Sequence, residues 1–307
     1  MENETIYQKA LTKVMDGLMK RYAERVPDVL KITKALVDQK IIESQNDIEN
    51  DHVAFRTMGV ENLGIASFEK IFLAYGYQKR DYFYFEGKKL NAYWYSPPSP
   101  NFPRIFASEL RVDDLSATAQ NIIKKYTNTI KKDPVDLLEL SDGEAVDQFL
   151  HSPLWPLPSL ADYKILLAES EYAAWVIYNR YYLNHYTISV HNLPEGYNSI
   201  AEFDAFVEKL GVKLNTAGGK IKISPDGCLL QSSTVAQMVE ADFEGGEKYT
   251  IAGSYVEFAE RKVLPQFAHL PSSEITREHR RDGFETGNAD KIFESTFISQ
   301  TKREEEM

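Results

Sequence analysis

The chain opens on apolar positions at helical spacing, Ile6, Ala10, Val14 and Leu18, then Val29, Leu30 and Ile32 after Pro27. Residues three and four apart share a helix face, so this pattern predicts two amphipathic helices broken near Val26-Pro27. They are read as a cap over 1–49, packed on the main domain. From Asp51 the texture turns to alternation and short apolar runs. Strands are predicted at 52–57, at 82–85, at 90–95 across a turn at Glu86-Gly87, and at 104–112. A helix over 67–75, stopped by Gly76, falls between the first two. The order is strand, helix, three strands.

The second half repeats that order. A strand at 183–190 leads to a helix beginning at Ser199, with Glu202 completing a capping box and Gly211 at its end. Strands are expected near 212–214, 219–224 and 228–233, and the last over 251–260. The modules thus span about 50–112 and 181–262 of a main domain over 50–300. A helical insert, about 113–180, starts at Asp113-Asp114, and the charged tail 301–307 reads as solvated. The fold class is α+β.

Composition narrows the partners. With 307 residues, 43% hydrophobic and 12% aromatic, the chain can bury a large core. Its 46 acidic against 35 basic residues give a net charge of −11, which argues against nucleic acid. A small anionic substrate, needing only a local cation or two, remains open. The single cysteine, Cys228, allows no intramolecular disulfide and suits a reducing compartment, read here as cytoplasmic. A charged amphipathic start offers neither a signal peptide nor a membrane span. Oligomeric state is not legible.

The chemistry sits on the repeat. Each module's first strand opens on a histidine, His52 after Asp51 and His185 after Asn184, and each has a later strand carrying a glutamate, Glu109 and Glu257. Strand alternation puts His52, Ala54 and Arg56 on one face, and His185, Thr187, Ser189 and His191 on another. If the modules pack as similar units, imidazoles and carboxylates converge as a divalent metal requires. The bland reading of His151, His191, His269 and His279 is a hydrogen-bonded histidine with no metal role. Glu257 lies mid-strand among apolar residues, where an unpaired carboxylate is costly; a metal or an arginine would relieve it. Glu109 holds the matching place, although Arg111 could simply pair with it, and Glu260 reads as a surface charge. His52, His185 and Glu257 alone would suit Fe(II) and oxygen chemistry, or Zn with an activated water. Adding Glu109 would give a four-ligand Zn or Ni site for glyoxalase-like isomerase or lyase chemistry. A non-enzymatic binding protein on the same scaffold would take no metal.

Four segments carry a family resemblance: Asp51-His52-Val53-Ala54-Phe55-Arg56-Thr57, Phe106-Ala107-Ser108-Glu109-Leu110-Arg111-Val112, Asn184-His185-Tyr186-Thr187 and Leu229-Leu230-Gln231-Ser232-Ser233-Thr234. They resemble the 2-oxoadipate dioxygenase/decarboxylase family, whose fold is related to the vicinal-oxygen-chelate superfamily. Tyr255-Val256-Glu257-Phe258-Ala259-Glu260-Arg261 and Gly287-Asn288-Ala289-Asp290-Lys291-Ile292-Phe293-Glu294 are similar to the metal-glutamate strand and C-terminal helix of 4-hydroxyphenylpyruvate dioxygenase. The resemblance implies paired βαβββ modules in an incomplete barrel around a metal. It implies His52, His185 and Glu257 as Fe(II) ligands, with Zn or Ni able to replace iron in a purified sample. Arg56 would grip a substrate carboxylate, Gln231 and Asn288 would contact the substrate, and Glu109 would orient a ligand or a water. The implied substrates are O2 and a 2-oxo dicarboxylic acid, with 2-oxoadipate giving 2-hydroxyglutarate and CO2 in lysine catabolism.

Overall fold

The protein is described here by a computed structural model covering residues 5–302; beyond Lys302, the tail expected at 301–307 lies outside the described residues. Helix α1 (Ile6–Arg25) starts on Thr5, whose hydroxyl and backbone exchange hydrogen bonds with Gln8 in a capping box. Val26 interrupts it, and Pro27 opens α2 (Pro27–Asp38) at the position where a missing N–H costs nothing. Ala10, Leu11, Val14 and Leu18 are buried, so the apolar stripe is the packing face. The Tyr22 hydroxyl of α1 donates to the backbone carbonyl of Tyr255, tying the cap to the sheet.

The first module is β1 (Asn50–Met58), α3 (Gly64–Ala74), β2 (Gln78–Phe85), β3 (Leu90–Ser96) and β4 (Arg104–Leu110). Four helices form the insert: α4 (Ala117–Thr127), α5 (Gly143–His151), α6 (Leu160–Glu169) and α7 (Glu171–Asn179). The second module is β5 (His185–Ser189), α8 (Ile200–Lys209), β6 (Lys222–Ile223), β7 (Leu229–Ser233), a hairpin of β8 (Met238–Asp242) and β9 (Lys248–Ala252), and β10 (Tyr255–Arg261). Two further helices follow, α9 (Thr286–Phe293) and α10 (Ile298–Thr301).

One eight-stranded sheet, ordered β2-β3-β4-β1-β5-β10-β7-β6, reads as two copies of one four-strand pattern meeting at β1 and β5. In each copy the opening strand pairs in parallel with the closing one, β1 with β4 and β5 with β10. The two copies join by an antiparallel β1–β5 seam. Curling of this sheet gives the incomplete barrel, an α+β architecture as expected. One face of β1 packs on α3 through Phe55, Phe68 and Phe72, with ring centroids 4.7 and 5.8 Å from Phe55. Its other face lines the site.

The second module departs from its expected strands in three places. Residues 212–214 form no strand; an isolated bridge joins Leu214 to Thr234. The expected 219–224 strand shrinks to Lys222–Ile223. The expected 251–260 strand is split, because 248–252 belongs to the β8–β9 hairpin, a separate two-stranded sheet. In that hairpin Val239, Ala241, Tyr249 and Ile251 turn inward and alternate with exposed residues, a strand pattern only five residues long on each side that sequence reasoning missed.

Candidate active site

The seam builds the site. Ala54 of β1 pairs with His185, and Glu257 of β10 pairs with Thr187 of β5, so the side chains facing the barrel interior from three adjacent strands meet. His52 Nε2 lies 3.3 Å from His185 Nε2. Glu257 lies 3.5 Å from His52 Nε2 and 3.0 Å from His185 Nε2. All three residues are buried, and their ligand atoms lie within 4.8 Å of one another.

The backing of each imidazole decides which nitrogen carries the proton. His52 Nδ1 is 2.8 Å from Asp51 Oδ1, and His185 Nδ1 is 3.1 Å from Asn184 Oδ1. Those oxygens accept only, so each Nδ1 donates and each Nε2 presents a lone pair inward. Two lone pairs 3.3 Å apart beside a carboxylate repel one another unless a cation sits among them. The Thr187 hydroxyl, 3.1 Å from His52 Nε2, can satisfy only one of the two. The donor set, two neutral imidazoles and one carboxylate, fits a divalent metal with open positions.

Electrostatics follow from the same partners. Burial opposes ionisation of Glu257, but His52 and His185 hold its carboxyl well below the usual range. Burial would lower the His52 imidazole, and Glu257 together with Asp51 outweighs it, leaving it raised. At His185 burial prevails over Glu257 and the imidazole is lowered. The asymmetry traces to the Asp51 carboxylate behind His52, whereas His185 has a neutral amide behind it and faces the positive charges of His52 and Arg56. Asp51 is itself gripped by Arg261, through contacts of 2.6 and 2.9 Å, and by Arg104 at 3.3 Å. Against its burial, these two cations hold the Asp51 carboxyl well below its ordinary value.

Above the cluster opens a narrow pocket walled by Phe106, Phe284 and Phe293, with Arg56, Ser108 and Tyr255 among its polar groups. Arg56 is 1% exposed and forms no ion pair among the described residues. Its Nη1 donates to Thr296 at 3.0 Å and its Nη2 to the Phe293 carbonyl at 3.1 Å. The rings of Tyr172, Trp175 and Phe293 surround it at 5.1–5.6 Å. A buried cation with no counter-charge is costly until an anion arrives.

Gln231 and Asn288 act on each other rather than side by side on the pocket. Asn288 donates to Gln231 Oε1 at 3.0 Å, and Gln231 donates to Glu257 Oε1 at 2.6 Å. The relay ties the first turn of α9 to the carboxylate. Glu109 is not brought to the cluster. It follows Ser108, which lines the pocket, and so points to the opposite face. There its Oε2 accepts the Ile65 backbone N–H at 2.8 Å, at the start of α3. The residue of β4 that holds Glu257's place is Phe106, paired with Ala54 as Glu257 is with Thr187. Glu109's true counterpart is Glu260, which accepts from Ile200 N at 2.8 Å at the start of α8 and is no idle surface charge. Arg111, the alternative partner for Glu109, pairs with Asp114 instead. His191 accepts from the Arg261 backbone at 3.2 Å, and His151 contacts Arg21 and Asp147.

Sequence reasoning missed Arg104, Arg261, Tyr255 and Phe284. Arg261 and Tyr255 were within reach, since strand alternation puts both on the Glu257 face. Arg104, in β4, and Phe284, whose ring meets His52 edge-on at 4.8 Å, gave no local signal.

Comparison with known proteins agrees with this geometry. Residues 14–271 match the family model described as 2-oxoadipate dioxygenase/decarboxylase. The chain is 43% identical over 296 residues to the chloroplastic 2-oxoadipate dioxygenase/decarboxylase of Arabidopsis thaliana, covering 92% of this chain and 76% of that protein. The crystal structure of the Oryza sativa hydroxyglutarate synthase in complex with 2-oxoadipate superposes with a TM-score of 0.85 at 43% identity, covering 94% and 93% of the two chains. A glyoxalase-superfamily protein of Ralstonia eutropha shares the fold, with a TM-score of 0.70 at 20% identity over 92% of this chain and 86% of its own. The cytoplasmic expectation is corrected by the plastid location of the plant relative. A lone cysteine reports a reducing compartment without saying which one.

Proposed function

The chain belongs to the 2-oxoadipate dioxygenase/decarboxylase family, and from that premise we propose that it converts 2-oxoadipate and O2 to 2-hydroxyglutarate and CO2, a step of lysine breakdown. The observation that carries this reading is a buried His52–His185–Glu257 cluster at one end of a pocket whose other end holds the unpaired cation of Arg56. In this reading the cluster holds Fe(II). Bound there, the ion would supply open positions for a chelating 2-oxo acid and for O2, the chemistry suited to two histidines and one carboxylate.

The protein's own groups supply orientation. Asp51 and Asn184 fix both rings with Nε2 inward. Gln231 holds Glu257 Oε1, which leaves Oε2 turned to His185. The 2-oxo acid end faces the cluster, and the distal carboxylate reaches Arg56, whose planar fork suits it. The phenylalanine walls exclude water and strengthen that attraction. The glyoxalase-like alternative needs Glu109 as a fourth ligand, and its position on the far face of β4 weighs against that.

The test is oxygen uptake by anaerobically Fe(II)-loaded protein given 2-oxoadipate, with His52→Ala as control. Uptake matched by CO2 and 2-hydroxyglutarate is expected. Iron that binds without uptake refutes the substrate, and failure to bind iron refutes the metal assignment.

A further inference from the structure

We propose that the Tyr255 hydroxyl is a substrate-binding donor that, with Arg56, grips the distal carboxylate and selects dicarboxylic over monocarboxylic oxo acids. The inference rests on the function proposed above. Tyr255 opens β10 two residues before Glu257, on the same pocket face, in register with His185. Because β1 and β5 are antiparallel and β5 and β10 parallel, Tyr255 lies on the Arg56 side of the cluster. Its ring leans on His185, with centroids 4.8 Å apart at 35°. The α1 cap holds its backbone carbonyl through Tyr22. The ring and backbone are therefore fixed by contacts that do not involve the hydroxyl.

That hydroxyl has no structural use. Tyr255 is 0% exposed, and among the described residues its hydroxyl oxygen makes no hydrogen bond of good geometry; Arg56 and Ser295 are the polar groups beside it. Buried hydroxyls are nearly always paired, so an orphan in a pocket points to a missing ligand atom. Two other donors on the same wall are also unpaired, Arg56 Nε and Asn184 Nδ2. All three are donors. The pocket is thus complementary to a ligand rich in acceptors, as a dicarboxylate is and a ligand ending in a methyl group is not. A site built around hydrogen bonds rejects the analogue lacking the acceptor because its own donors are left unpaired.

The test is Tyr255→Phe, which keeps the ring and removes only the hydroxyl. Wild type and variant are compared on 2-oxoadipate and 2-oxohexanoate by kcat/KM, and by calorimetric binding of 2-oxoadipate to the metal-loaded protein without oxygen. Loss of one hydrogen bond to a charged group is expected to lower 2-oxoadipate kcat/KM and affinity roughly 10–100-fold, mostly through KM. Values for 2-oxohexanoate should hold or rise, since the variant has one donor fewer to leave unpaired. The ligand-free variant should melt no lower than wild type, since the fold loses no bond. Equal losses on both substrates, a lower Tm, or unchanged binding of 2-oxoadipate would each overturn the assignment. A wild type that turns over neither acid would instead indict the proposed function.

Discussion

Changing Asp51 to asparagine removes one charge from a spot where two guanidiniums depend on it. Asp51, Arg104 and Arg261 are 1%, 2% and 1% exposed. Arg261 holds the carboxylate at 2.6 and 2.9 Å, and Arg104 holds it at 3.3 Å. Burial, with Arg261 next door, already pushes Arg104 down to about 10. In the variant the two cations face each other with Asp282, 2.6 Å from Arg104, as the remaining nearby carboxylate contact. Removing one partner of a buried ion pair costs about 3–5 kcal/mol. An unfolding entropy of about 2.1 cal/mol/K per residue makes that a Tm loss of roughly 5–8 °C for a chain of this length. A second effect falls on the metal. His52 Nδ1 would face a neutral acceptor, and weakening such a backing contact lowers metal affinity about 10–100-fold. Calorimetric melting of metal-free protein reads the first effect, and Co(II) competition against a coloured chelator reads the second. The sign with pH is fixed by the depressed Asp51 value. Its stabilisation is complete above the ordinary value of 3.8 and fades as pH falls below it, so the two melting curves converge only in acid. A variant that melts with wild type and binds Co(II) as tightly would refute the role given to this network.

Two further outcomes follow from placement. Glu109→Ala should keep full metal stoichiometry while losing about 1 kcal/mol of stability with the α3 end contact, whereas Glu257→Ala should lose the metal; loss of metal in both, read by elemental analysis, would return Glu109 to the site. Asp204, 2% exposed with one oxygen on Ser232 at 2.6 Å and the other unpaired, is pushed by burial up to about 6. Its folded value lies above the ordinary 3.8, so the folded chain holds this proton more tightly and stability drops as pH rises between those values, then levels. Asp204→Asn should therefore be more stable than wild type at pH 7, by up to about 3 kcal/mol, and equal to it near pH 4; a gap constant with pH would contradict this.

Much of the framework was written in local patterns. The capped α1, the proline at α2, the hairpin of β2 and β3 and the histidines opening β1 and β5 all follow from period, turn residues and caps. The His52–His185–Glu257 convergence needed only strand alternation and a repeat. Glu109 went astray because element order was matched without counting register. A three-residue slip between Phe106 and Glu109 also flips the face. A better ruler was present in the chain: Ile65-Ala66-Ser67-Phe68 ending at Gly76 runs parallel to Ile200-Ala201-Glu202-Phe203 ending at Gly211. That ruler stops at the helices, because the β8–β9 hairpin in the second copy shifts the count before the closing strand; Glu109 and Glu260 are matched instead by the equivalent residues they meet, Ile65 and Ile200. The contacts of Arg104 to Asp51 and of Phe284 to His52 depend on tertiary approach, which no short window carries.

The seam between β1 and β5 has a consequence for what two like halves can recognise. A pair of identical subunits meeting this way would offer the same residue at each equivalent position, and could not tell one end of a ligand from the other. Here the copies have diverged: Phe106 stands where the other copy has Glu257, and Arg56 where the other has Ser189, a buried hydroxyl without a partner. Covalent fusion is what permits that inequality. Under the proposed function, a nearly symmetrical molecule with an acid at both ends would enter in one direction only, because the two-fold relation survives in the backbone and has been erased from the side chains.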